Sequence, residues 1–362
     1  MKRKICFAAA IVAGLAMSFT LQAREWNFTE ASDLTLVGKL FPDTPNPYHR
    51  LDTLVYHDGF TKSELAQVIM SSGLAVAFET DSPSISVCPT YGIVHGMGTT
   101  GPVSHKGFDL YIKDGGSWRW AGSATGGKNG DVRVLLENCS AGKVECLLYL
   151  PLLCSLDGLK IGIEKGYRIN AVENPLRHRI AVFGSSFTHG ISTSRPGMTY
   201  PAQLSRMTGL QFLSLGCSGN SKLQEYFAHA LADADVDAFV FDSFSNPTPE
   251  MIHGRLFKFI EIIREKHPDT PLIFQKTIWR ERRSYNDRTD ESEYSKMQMA
   301  EQMMREACKK YNDVYYVETT DATSPDHETS VDGTHPGDYG YTLWARSVAE
   351  PITEILAKYG IR

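Results

Sequence analysis

Apolar positions follow two different rhythms along the chain. Between residues 26 and 169 they form short runs, at 74–78, 84–87, 108–112, 132–136 and 145–150, separated by glycine, proline and aspartate. Runs of that length broken by turn residues predict β-strands, and many in succession predict a β-sandwich. Lys113-Asp114-Gly115-Gly116, followed by Trp118-Arg119-Trp120, predicts a hairpin, since paired glycines accept the backbone of a tight turn. Beyond Asn174-Pro175 the apolar runs at 180–183, 212–215, 238–241, 272–274 and 314–317 are separated by longer amphipathic stretches, among them 251–266 and 297–310. That alternation predicts a parallel sheet flanked by helices. A last helix is expected over 339–358, kinked or interrupted at Pro351.

The chain of 362 residues is long enough for two domains, and its 42% apolar and 22% charged content is that of an ordinary globular protein. Its start is different. Lys2, Arg3 and Lys4 precede an apolar, alanine-rich run from Ile5 to about Phe19, and Leu21-Gln22-Ala23 comes before Arg24. The pattern predicts a secretory signal over residues 1–23, cut after Ala23, and hence a secreted or periplasmic protein with no stable membrane insertion after cleavage. The alternative is an uncleaved anchor, but the run falls short of the ~17 apolar residues a span needs. Cys6 lies too early in the run to carry a lipid. The expected division is therefore signal 1–23, a jelly-roll-like β-sandwich accessory domain 24–175, and an α/β domain 176–362.

Loss of the leader removes three positive charges (Lys2, Arg3, Lys4) and no acidic ones, moving the formal net charge from -5 to -8. A nucleic-acid partner is not expected on that balance, because phosphates call for a basic surface. Cys88, Cys139, Cys146, Cys154, Cys217 and Cys308 remain. They are even in number and suit an oxidising compartment, but the sequence selects no pairing, and small buried apolar roles serve most of them as well. No close cysteine pair offers a zinc site, so no metal and no cofactor is expected. The segment 280–296 is dense in charge, with Arg280, Glu281, Arg282, Arg283, Asp287, Arg288, Asp290, Glu291 and Glu293. A solvated loop or helix face is the plain reading and a substrate loop the functional one.

Candidate chemistry enters at the first strand of the second half. Ile180-Ala181-Val182-Phe183 runs into Gly184-Ser185-Ser186-Phe187-Thr188-His189-Gly190, and far downstream stands Asp332-Gly333-Thr334-His335. A strand that turns sharply at its carboxyl end can project a serine hydroxyl where open α/β sheets bind ligands. That alcohol needs an imidazole to take its proton and a carboxylate to hold the imidazole. Asp332 is only three residues from His335, joined by a loop that Gly333 and Pro336 keep compact. Each residue also has an ordinary structural use: Ser185 and Ser186 as a turn or helix cap, Gly216 and Gly219 for tight backbone, Asn246-Pro247 as a helix start, Asp332-Gly333 as a turn. His189 and His95 read as local structural or surface histidines.

The order of these blocks resembles the SGNH (GDSL-like) hydrolase superfamily. Gly184-Ser185-Ser186-Phe187 is similar to its first block, with Ser186 as nucleophile and Ser185 in place of the usual aspartate. Leu215-Gly216-Cys217-Ser218-Gly219-Asn220 resembles the second block, with Ser214 where asparagine is common, and implies Gly216 as a backbone oxyanion donor. Asp242-Ser243-Phe244-Ser245-Asn246-Pro247 resembles the third without its common Gly-x-Asn-Asp form, and implies Asn246 as side-chain donor. The resemblance implies a three-layer fold and a Ser186–His335–Asp332 triad, with an oxyanion hole of the Ser186 and Gly216 amides and Asn246. Upstream, Gly107-Phe108-Asp109-Leu110-Tyr111 is similar to the Gly-x-Asp-Leu-Tyr motif of a β domain that precedes some bacterial SGNH hydrolases. Asp109 either orders a turn or helps shape the cleft.

Together these features imply an exported serine esterase that removes short acyl groups, O-acetyl on carbohydrate above all, from small-molecule or polysaccharide esters through an acyl-enzyme. The alternatives are a lipid or other short-chain acyl ester hydrolase, and a non-catalytic glycan-binding protein on a degenerate hydrolase fold. Tyr91, Trp118, Trp120 and Trp279 can stack on sugar rings, though aromatic residues in strands are more often core.

Overall fold

The computed structural model describes residues 24–319 and 322–362; the expected signal lies outside the described residues. In chain order the first half forms β1 (Trp26–Glu30), β2 (Thr35–Val37), α1 (Lys62–Val68), β3 (Ala75–Thr80), β4 (Ile85–Val94), α2 (Pro102–Lys106), β5 (Phe108–Asp114), β6 (Ser117–Ala124), β7 (Arg133–Leu136), β8 (Val144–Tyr149), β9 (Cys154–Glu164) and β10 (Ile169–Ala171). The strands make two antiparallel sheets, β1-β9-β4-β7 and β10-β3-β8-β5-β6, with β2 alongside β3. Alternate residues turn inward: Val76, Phe78, Leu110 and Leu148 from one sheet meet Val87, Leu156 and Ile161 from the other in one buried core. The sandwich is as expected. Its hairpin closes at Gly115-Gly116, where Asp114 pairs with Ser117 and both glycines have positive φ (54° and 82°). Strand β9 lies between β1 and β4, although Asp157, Gly158 and Lys160 break its apolar alternation.

The second half forms β11 (Arg177–Gly184), α3 (Ser186–His189), α4 (Tyr200–Thr208), β12 (Leu210–Gly216), α5 (Glu225–Ala232), β13 (Ala238–Asp242), α6 (Pro249–Lys266), β14 (Leu272–Gln275), α7 (Asp287–Lys310), β15 (Val314–Val317) and α8 (Asp338–Ala357). Its five strands are parallel, in the order β12-β11-β13-β14-β15. Period-two alternation sends Ala181, Phe183, Phe239 and Phe241 against the helices α5, α6 and α7. It sends Ile180, Val182, Ala238 and Val240 to the other face, against Tyr200, Leu204, Trp344 and Val348 of α4 and α8. The result is a three-layer α/β unit. Because the chain leaves β11 toward β12 and then crosses to β13, the crevice of this doubly wound order opens at the carboxyl end of β11.

Two expectations need correction. Helix α8 runs through Pro351 without interruption, because Trp344, Ala345, Val348, Ile352 and Leu356 bury one face against the sheet. Five such side chains contribute several times the ~3 kcal/mol that an interior proline costs. The charge-rich segment is not solvated throughout: residues 281–285 form a 3-10 turn, α7 begins at Asp287, and Glu293 and Lys296 of that helix are buried. Asn286 caps that helix by accepting from the Thr289 amide (3.0 Å), and Asp287 and Asp290 suit its positive end.

The two halves are joined through apolar packing and buried polar contacts. Leu40, Leu51 and Val68 pack into the same core as Phe183 and Phe241. Arg50, fully buried, donates to the carbonyls of Gly216 (3.0 Å), Met70 (2.8 Å) and Gln67 (2.6 Å), and so covers the open edge of β12. Asp109 of the Gly-x-Asp-Leu-Tyr motif is also fully buried; it accepts from Arg195 Nη1 (2.7 Å), the Gly197 amide (2.9 Å) and Trp120 Nε1 (3.0 Å). The motif therefore clamps the segment between α3 and α4. Asp109→Ala leaves the Arg195 guanidinium without its carboxylate and is expected to cost about 3–5 kcal/mol; a urea titration with an unmoved midpoint would reject the clamp.

Candidate active site

Strand β11 delivers the chain to the sheet edge at Gly184, and Ser185 caps α3 by accepting from the Phe187 amide (3.1 Å). Ser186 is thereby the first helical residue, directed into the crevice. The helix can sit this close only because its floor is glycine: a Cβ at Gly216 would lie 2.1 Å from the His189 backbone nitrogen, and one at Gly184 2.0 Å from Thr188 Oγ1. Asp242, fully buried at the end of β13, holds the turn. Its Oδ2 accepts from the Ser185 amide (3.1 Å), the Ser185 hydroxyl (2.8 Å) and the Thr188 hydroxyl (3.0 Å). Burial pushes this carboxyl up to about 6, against the opposing pull of those hydrogen bonds.

From the opposite wall His335 places Nε2 3.0 Å from Ser186 Oγ. His335 Nδ1 donates to Asp332 Oδ2 (2.8 Å), a tautomer that leaves Nε2 as an acceptor. Asp332 Oδ1 accepts from the amides of Thr334 (2.9 Å) and His335 (2.7 Å). Partial burial favours the neutral Asp332 carboxyl, but the His335 ring and the two amides outweigh it and hold the group below the usual carboxylate range. A bridge between Ser330 and Pro336 closes the loop, and Gly333 takes the left-handed backbone (φ 82°) it requires. Ser186 and the distant Asp332–His335 loop thus form one hydrogen-bonded chain.

The GDSL-like lipase/acylhydrolase family matches residues 177–353, and the N-terminal segment of SGNH-hydrolase-type esterases matches residues 25–169. A Bacteroides ovatus protein described as a GDSL-like lipase is 37% identical, with a TM-score of 0.88 over 92% of this chain and 98% of its own. The chain belongs to the SGNH (GDSL-like) hydrolase family. It is an esterase of that family. Its fold is shared by a salicylyl-acyltransferase from a tetracycline biosynthetic pathway (20% identity, TM-score 0.70, covering 94% of this chain and 100% of that one). A family two carbohydrate esterase from Clostridium thermocellum shares it too (14%, 0.57, 79% and 93%). No curated protein matches.

The esterase's crevice has a volume of about 500 Å3 and is lined by Ser186, His335, Gly219, Asn246, Arg280 and Lys296, with hydroxyls from Ser218, Ser245, Thr248, Ser292 and Thr334. Asn246 lines the same crevice as Ser186, and its Oδ1 accepts from the Ser221 amide (3.3 Å). Gly216 does not line the crevice and is corrected. In the pairing of β11 with β12, Cys217 donates to the Gly184 carbonyl (2.8 Å), so the peptide groups of Gly216 point to the opposite, outer edge, where Arg50 meets its carbonyl. Gly219, three residues on and in the left-handed region (φ 73°), is the glycine that lines the crevice with Ser186.

Among the described residues no group of three or more His, Cys, Asp or Glu side chains gathers to hold a metal ion. The six cysteines are free thiols, with Cys146, Cys154 and Cys217 buried. His189, the last residue of α3, is buried with Nε2 2.8 Å from the Leu152 carbonyl, and burial, aided by Arg50, lowers it to about 3. None of the four aromatic residues lines the Ser186 crevice: Tyr91 is buried, Trp118 is partly buried, Trp120 is tied to Asp109, and Trp279 lies under the Arg283 guanidinium (3.9 Å) in a neighbouring cavity. The residues unforeseen from sequence are Asp242, Arg280 and Lys296; the one available signal was the density of charge over 280–296.

An ordinary Asp carboxyl titrates near 3.8, so Asp242 in the folded state keeps its proton to higher pH than in the unfolded chain. The stability this brings is complete below about pH 4 and is lost as pH rises through about 6, by at most ~3 kcal/mol. Asp242→Asn keeps the acceptor and removes the titration. Denaturation free energy measured from pH 4 to pH 7 is expected to lose that decline; a variant with the same decline as wild type would assign it to another group.

Proposed function

We propose that the esterase is exported and hydrolyses short acyl esters, O-acetyl groups on carbohydrate in particular, through Ser186, His335 and Asp332. The observation that carries this reading is the contact chain of 3.0 Å and 2.8 Å from Ser186 through His335 to Asp332, opening on a crevice with polar walls. His335 takes the Ser186 proton as Oγ attacks the ester carbonyl, and Asp332 stabilises the resulting imidazolium. The amides of Ser186 and Gly219 and the NH2 of Asn246 receive the oxyanion. His335 then gives the proton to the leaving alcohol, and water repeats the sequence on the acyl-enzyme.

Crevice composition supports the substrate class. Five hydroxyl side chains besides Ser186 line it, together with Pro247 and Pro249, so a sugar hydroxyl finds partners there. The basic and then apolar pattern of residues 1–23 supports export, where polysaccharide esters are met.

Ser186→Ala is expected to lower turnover by about 10⁶-fold, with circular dichroism unchanged. Asn246→Ala is expected to lower kcat about 10²–10³-fold. Acetate release from acetylated polysaccharide, compared with hydrolysis of a long-chain acyl ester, checks the substrate class. Undiminished turnover by Ser186→Ala would remove the nucleophile, and a preference for the long acyl chain would favour a lipid substrate.

A further inference from the structure

The crevice that holds Ser186 is lined by two cations where one would suffice for structure. Arg280 lies beyond β14, and Lys296 lies in the third turn of α7; both line the crevice. Their side chains are only 15% and 8% exposed, and both reach the same buried carboxylate, Glu293 Oε1, at 2.7 Å and 2.8 Å. Both also donate to the Ser245 carbonyl, at 2.9 Å from Arg280 Nη2 and 3.0 Å from Lys296 Nζ. Either contact set alone would tie Ser245, and so its neighbour Asn246, to α7. Two cations against one carboxylate leave one positive charge unmatched.

The nearby carboxylates are committed elsewhere. Asp332 contacts His335 and two amides, Asp242 bonds Ser185 and Thr188 and meets the Arg280 charge only at longer range, and Asp290 pairs with Arg283 (2.7 Å), so none but Glu293 bonds either cation directly. Donors also remain unused. Arg280 Nη2 gives its second bond to Ser245 Oγ (2.6 Å), while Arg280 Nε is buried with no hydrogen-bond partner among the described residues. Lys296 uses two of its three ammonium protons. Arg280 Cζ stands 5.6 Å from the ring of Phe187, the residue after Ser186, so the unmatched charge borders the reacting centre. A buried cation without a counter-charge is costly in the empty site and becomes favourable when a ligand supplies the anion.

We propose that the crevice selects esters carrying a carboxylate near the scissile bond, and that Arg280 and Lys296 bind that carboxylate as positioning residues. This rests on the hydrolytic reading above for the word ester but not for the anion site itself. The carboxylate can belong to the alcohol, as in an O-acetylated uronic acid, or to the acyl group, as in a hemisuccinate.

Binding separates these sources and is independent of turnover. Calorimetric titration of Ser186→Ala with methyl glucuronoside against methyl glucoside tests the alcohol side, and monomethyl succinate against methyl butyrate tests the acyl side. In one pair the anionic member is expected to bind about tenfold or more tightly, with the advantage shrinking as salt is raised. Lys296→Met, which keeps the packing of the stem, is expected to erase most of that advantage, and Arg280→Lys to retain part of it. In the wild type the matching acetylated pair is expected to differ in KM more than in kcat. Equal binding within both pairs overturns the proposal without any charge variant having to fold, and so does an advantage that survives Lys296→Met. Loss of ester turnover in every arm with anion binding intact would instead overturn only the hydrolytic reading.

Discussion

A single buried carboxylate organises the reactive edge of the sheet. Asp242 ends the strand next to β11 and gathers the amide and hydroxyl of Ser185 together with the hydroxyl of Thr188 on one oxygen. A strand-to-helix turn leaves amides unpaired at the helix start, and here a fixed acceptor from the neighbouring strand orders that start. The orientation of Ser186 follows. Serine at position 185 is then suited to its place, since it caps α3 with its oxygen and donates its proton to Asp242. Its hydroxyl is short enough for both contacts, while the negative charge is provided from β13.

The sandwich belongs to this arrangement as more than an attachment. Strand β12 is the edge of the parallel sheet, and its outward carbonyls need partners. Arg50, which arrives with the segment between β2 and α1, supplies them, so Gly216 is pinned from outside by a guanidinium and from above by α3. Asp109 acts on the far side of the same helix by holding Arg195 and Gly197. Ser186 therefore sits in a helix of one turn whose surroundings are fixed by three buried polar contacts, two of them contributed by the first half of the chain. A four-residue helix has little stability of its own, and such bracing is what lets it hold a side chain in one direction.

Much of this was legible in the sequence, and the failures have a common cause. Short apolar runs reported the strands because each buries one or both faces, and Ser186, Asp332 and His335 stood out because local spacing and block order both marked them. Gly216 and Gly219 lie in the same block, and spacing alone does not say which one faces the crevice. That depends on which edge of β12 a given peptide group addresses, a property of pairing with β11 that is absent from the linear pattern. Asp242 was visible as a residue but not as an organiser, since its partners are more than fifty positions away. The charge of 280–296 read as solvated because the burial of Lys296 and Glu293 arises only when α7 packs beside Ser245.

Three carboxylates near the crevice occupy three electrostatic environments, and the differences decide what each can do. Asp332 receives two amides and an imidazole, remains below the normal carboxylate range, and so presents a stable negative charge to the imidazolium that forms under the proposed mechanism. Asp242, deeper and without a directly bonded cation, is pushed up to about 6 by burial and so holds its proton to higher pH than an ordinary carboxyl. Glu293 is held between two cations and cancels only one of them. The crevice thus keeps negative charge beside the imidazole and lines the space around the serine with positive charge, a polarity matched to the proposed reaction, in which negative charge appears on the substrate and positive charge on His335. With that polarity built in before substrate arrives, little reorganisation is required at the moment of attack.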